Sequence, residues 1–229
     1  MKRKNSKSTY GIISLLIIVF LFDFLVLNQE GTKVVSVNHL WKGNQWGYLT
    51  KYGRLLNVSA MNPEWWRLFT CMFLHAGIPH LVVNCIGLYS IGSIVEQRLG
   101  RMKLLVIYLL SGIGSAMITM LVTYGSVGAS GAIYGVGGAL LILIIKDRKN
   151  SWSTQPFLKK LIIVAYLTVL NLSGVNTLIS HEVGLIIGIL VGLVIDASIK
   201  DNSSKELKGE MNMKVIVEKN DCSSSTKLS

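Results

Sequence analysis

Hydrophobic residues fall in blocks separated by short polar clusters. Six blocks are long enough to read as membrane segments, at about 11–28, 68–95, 104–123, 130–145, 157–172 and 177–199. A bilayer core of about 30 Å needs about 20 apolar residues per helix. The second block exceeds one span and is interrupted near Pro79. A long stretch at about 29–66 carries Trp41, Trp46, Tyr48, Tyr52, Trp65 and Trp66 among Gly, Asn and Lys. Amphipathic rings favour the headgroup level, so this stretch reads as an interfacial loop. The pattern predicts an all-α polytopic membrane protein, a six-helix bundle with an interfacial first loop. Residues 1–9 form a basic cytoplasmic amino terminus, 10–199 the membrane domain and 200–229 a polar, disordered cytoplasmic tail.

Composition strengthens this picture. Of 229 residues, 51% are hydrophobic and 15% charged. The net charge of +11 raises nucleic acid as a partner, but much of it lies in short turns between apolar blocks, and nucleic acid is set aside. Basic clusters sit at the amino terminus, at 96–103, at 146–160 and in the tail, whereas the turns at 124–129 and 173–176 carry no charge. The positive-inside rule then puts both termini in the cytoplasm and the aromatic loop outside. Lys2, Arg3, Lys4 and Lys7 resemble a signal n-region, but no small-residue cleavage site follows, so a retained first helix is expected. Three scattered cysteines give no disulfide framework.

The polar residues inside the apolar blocks carry the candidate chemistry. Ser130 opens the fourth segment within Gly128-Ala129-Ser130-Gly131-Ala132-Ile133-Tyr134-Gly135, and His181 stands in the sixth. Ser130 lies 16 residues before Lys146, about 24 Å along a helix, and His181 lies 19 before Lys200, about 28 Å. Both segments run inward, so the two side chains share one depth. A serine needs a base to act as nucleophile, and histidine is the usual one. An oxyanion needs donors, and the unpaired backbone N–H of Ser130 at a helix start is one. His80 and Asn84, four residues apart on one face of the second segment, add two more. Tyr134, one turn below Ser130, is placed to orient the His181 ring. Gly131, Gly135 and Ala139 on the fourth segment match Gly184, Gly188 and Gly192 on the sixth, small-residue ridges that let two helices approach closely.

The ordered set resembles the rhomboid intramembrane serine proteases: Glu64-Trp65-Trp66-Arg67, His75, His80 through Asn84, Glu96-Gln97-Arg98-Leu99-Gly100, the Ser130 motif, and a histidine in a glycine-rich last helix. The resemblance implies a Ser130–His181 dyad, an oxyanion site of His80, Asn84 and the Ser130 backbone, and Tyr134 packed on the base. It implies transmembrane protein substrates cut near the outer face, with no cofactor and no metal. One departure stands out. The family reads His-x-Gly-Gly in its last helix, where this chain reads His181-Glu182-Val183-Gly184. Two rival classes are a non-catalytic rhomboid-like protein that binds membrane clients, and a small transporter suggested by Asp23 and the intramembrane histidine. Both catalytic residue types being present disfavours the first; the lack of a duplicated broken-helix pattern disfavours the second. Three other motifs fail. Leu185 replaces the second zinc histidine, no Gly-Lys-Ser/Thr follows the glycines at 125–138, and Ala132 breaks the hydrolase elbow. A prokaryotic plasma membrane is the expected location.

Overall fold

The computed structural model describes residues 6–29, 41, 46–57, 59, 64–122, 125–146 and 152–199. The polar tail and much of the aromatic loop lie outside the described residues. The helices are α1 (Lys7–Gln29), α2 (Trp46–Tyr52), α3 (Arg67–Thr70), α4 (Ile78–Leu99), α5 (Arg101–Val122), α6 (Ser130–Lys146), α7 (Phe157–Val169) and α8 (Val175–Ile199). A 3₁₀ turn, Leu170–Ser173, joins α7 to α8. The chain forms two compact units, Met1–Gly192 and Leu193–Ser229, and the description below concerns the first. The protein is an all-α polytopic membrane protein. By length and composition α4, α5 and α8 can cross a bilayer, and α6 is a shorter apolar helix. Outward-facing Ile18, Phe22, Leu110, Leu121, Ile186 and Leu190 are exposed, as expected where the solvent is lipid.

Pro79 opens a helix rather than interrupting one. Gly77 is extended at the N-cap of α4 and Pro79 lies in the first turn, where its missing N–H costs nothing. Residues 71–77 before it form turns and bends. At the other end, Gly100 has φ 89°, a left-handed position that suits glycine, and α5 begins at the next residue. Glu96 belongs to α4 and is buried rather than lying in an exposed charged turn. Its carboxylate accepts from the Ser8 N–H (2.9 Å), the Thr9 N–H (2.8 Å) and the Thr9 hydroxyl (2.7 Å), satisfying the start of α1.

α6 is the centre of the bundle. It is apolar all round and buried without a break from Gly131 to Leu140. Its glycines let two neighbours close in. A Cβ on Gly184 would strike the Gly131 carbonyl, and one on Gly188 the Gly135 carbonyl. One on Gly192 would touch the Ala139 Cα at 3.2 Å. A Cβ on Gly135 would strike Ser111 of α5. α6 therefore lies between α5 and α8, its backbone nearly touching that of α8.

Candidate active site

Ser130 is held from both sides in sequence. It is the first residue of α6, so its N–H is among those with no intrahelical partner. The segment leading to it is stitched to the stretches on either side of α3. Leu55 and Ser126 form an antiparallel bridge, with Leu55 N–H to Ser126 O at 3.0 Å and the reverse bond at 3.2 Å. The Gly128 N–H then donates to Cys71 O at 2.8 Å. Gly128 has φ +120°, and a Cβ there would stand 2.7 Å from the His80 ring. Both the dihedral and the closeness of the imidazole require glycine.

His181 is the seventh residue of α8 and is 1% exposed. Its ring stacks on Tyr134, with centroids 3.9 Å apart and planes 13° apart. Tyr134 is fixed in turn by its hydroxyl, which donates to Tyr166 O at 2.8 Å. Nδ1 of His181 lies 2.9 Å from Asn171 Oδ1. Nε2 is buried, with no hydrogen-bond partner among the described residues.

His80 and Asn84 come from the first turns of α4. Asn84 is buried; its Nδ2 donates to His80 O at 3.0 Å, and its Oδ1 accepts from the Tyr166 hydroxyl at 2.9 Å. His80 packs edge-on against His75, 5.1 Å away. His75 hydrogen-bonds to Phe73 O through Nδ1 (3.2 Å) and stands behind His80. Burial, with His80 nearby, pushes its pKa down to about 3, so it is a neutral packing group.

A cavity of about 660 Å³ joins these elements, lined by Ser130, His181, His80 and Asn84 together with Ser126 and Ser180. The structure thus brings the four residues picked from the sequence to one space, with Tyr134 immediately behind the histidine. The six small residues of the two ridges form the adjoining contact between helices. Among the described residues no group of three side chains could hold a metal ion. Asn171, Tyr166 and the Ser115–Ser180 pair were not singled out in the sequence. Ser115 Oγ donates to Ser180 O at 2.7 Å, joining α5 to the start of α8. A family model for the rhomboid domain matches residues 62–197, which contain every one of these groups.

The chain belongs to the rhomboid family. It is 35% identical over 147 residues to the rhomboid protease GluP of Bacillus subtilis, covering 64% of this chain and 27% of that protein. It is 34% identical over 173 residues to the rhomboid protease AarA of Providencia stuartii, 63% of this chain and 61% of that one. To the putative rhomboid protease YdcA of Bacillus subtilis it is 32% identical over 161 residues, 68% and 75% respectively. The chain thus spans about a quarter and about three-fifths of the length of the first two. Within the rhomboid domain, the Val183 departure leaves Gly184 free to meet Gly131, because the contact uses the glycine and not its neighbour.

Proposed function

We propose that this protein is an intramembrane serine endopeptidase acting on transmembrane protein substrates. The observation that carries the reading is the shared cavity of Ser130, His181, His80 and Asn84, with His181 Nε2 buried and without a hydrogen-bond partner among the described residues. Ser130 Oγ attacks the scissile carbonyl while His181 Nε2 takes its proton. The developing oxyanion accepts from the Ser130 N–H, Asn84 and His80. The imidazolium returns the proton to the leaving amine, and water then hydrolyses the ester by the same path. The basic loops support an orientation with both termini in the cytoplasm, which opens the cavity toward the outer face.

Purified protein in proteoliposomes is expected to cleave a model transmembrane substrate near its outer end. Ser130→Ala and His181→Ala each remove cleavage, and a fluorophosphonate probe labels Ser130 only when His181 is present. Equal cleavage by wild type and both variants sinks the mechanism. A stable complex with the substrate and no cleavage by any of the three points instead to a client-binding protein.

A further inference from the structure

Two polar side chains beside the base remain unused by this mechanism. Asn171 lies in the 3₁₀ turn between α7 and α8, and Glu182 follows His181 on α8. Asn171 Nδ2 donates to Glu182 Oε1 at 2.8 Å and lies 3.4 Å from Leu167 O. Its Oδ1 faces His181 Nδ1 at 2.9 Å.

We infer that Asn171, with its carboxamide oriented by Glu182, is a positioning residue that fixes the tautomer of His181. The inference rests on the protease reading for its kinetic consequence and on hydrogen-bond polarity for its cause. A carboxamide could be turned either way, so its orientation must come from its neighbours. Here a carboxylate oxygen and a backbone carbonyl, both acceptors, flank one end of the Asn171 amide. The NH₂ group belongs there and the oxygen at the other end. An amide oxygen only accepts, so the hydrogen of the neutral imidazole resides on Nδ1. Nε2 then carries the bare lone pair, on the nitrogen to which the proposed mechanism sends the Ser130 proton. The other tautomer would set an N–H against the serine and two acceptors against each other at Asn171. After proton transfer, Nδ1–H keeps its acceptor, and the Glu182 carboxylate is one hydrogen bond further on. The logic is that of a third group orienting a base, with an amide as the direct contact and a carboxylate behind it.

A purely structural role, stapling the 3₁₀ turn to α8, would leave the tautomer unchanged. The test therefore reads the tautomer directly. Full-length protein labelled with ¹⁵N-histidine is studied in proteoliposomes, with the His181 signals assigned by their loss in His181→Gln. Wild type is expected to show a protonated Nδ1 and a bare Nε2. Asn171→Leu, similar in shape, is expected to lose that preference. Its kcat should fall roughly ten- to a hundred-fold, the usual range for partners that orient a functional side chain, with KM changed less than about two-fold. Glu182→Gln keeps an acceptor for Asn171 and should retain more activity and more of the tautomer preference than Glu182→Leu. Unchanged His181 nitrogen shifts in Asn171→Leu overturn the inference, whether or not kcat falls. So does an equal effect of the two Glu182 variants. A wild type that cleaves nothing would defeat the protease reading alone, because the nitrogen shifts still decide the positioning.

Discussion

Asn84 divides its carboxamide among three tasks. Its oxygen is held by Tyr166 and one N–H by the His80 carbonyl, which leaves a single N–H for the cavity. From the oxyanion role proposed above, Asn84→Ala is expected to lower kcat by roughly 10²–10³-fold, with substrate affinity little changed. Steady-state kinetics in proteoliposomes checks this; a fall confined to KM would place Asn84 in substrate binding. At this scale the sequence was legible where a polar residue stood among apolar ones, as Ser130, His181 and Asn84 do. It was illegible where the polar residue sat in a turn. Asn171 is ten residues from His181, and only the 3₁₀ geometry after α7 brings it back to the ring. Glu182 was visible beside the base, in the open position of the family pattern, but its partner was not. Tyr166 read as another aromatic in a membrane segment, whereas its hydroxyl and carbonyl hold both Asn84 and Tyr134.

Between helices, the decisive contact is backbone on backbone. Gly188 faces the Gly135 carbonyl so closely that any Cβ meets main chain, which cannot rotate away. Gly188→Val is expected to destabilise the protein by at least about 1–3 kcal/mol through overpacking, read as a lower unfolding midpoint in detergent. Gly11→Ala is the control: a Cβ there meets nothing within 4 Å, and stability should hold or rise. A midpoint lowered equally by both would remove the ridge argument. The spacing of small residues revealed this contact in advance because a four-residue period keeps them on one face. Outside the second block, helix boundaries were legible to within about four residues, from charge at some ends and from glycine-bearing turns at 124–129 and 173–176. The second block misled because apolar residues also fill the turns at 71–77, and hydrophobicity alone does not distinguish a buried turn from a helix.

For the molecule as a whole, Glu96 links the first helix to the rhomboid core. Glu96→Ala would strand the Ser8 and Thr9 N–H groups, at a cost of about 1–3 kcal/mol for the buried Thr9 N–H and less for the half-buried Ser8 N–H. The expected result is easier release of α1, seen as faster amide hydrogen exchange across Lys7–Gln29 with little change in α6. Uniform exchange throughout would contradict it. This link is long-range, 88 residues between Ser8 and Glu96, and no local pattern announces it. By contrast Arg67, also buried, holds the carbonyls of Thr50 and Arg54 with Nη1 (2.6 and 3.0 Å), securing α2 and the residues after it near the Leu55–Ser126 bridge.

The shortness of α6 has a physical consequence for the depth of the cavity. Its 17 residues span about 25 Å, some 5 Å less than an average hydrocarbon core. α6 is buried from Gly131 to Leu140, so neighbouring protein and not lipid meets this shortfall. The exposed apolar side chains of α4 and α5, helices of 22 residues and about 33 Å, face the bilayer instead. An enclosed short helix leaves room for water at its ends within the thickness of the membrane, and the cavity at Ser130 occupies one of them.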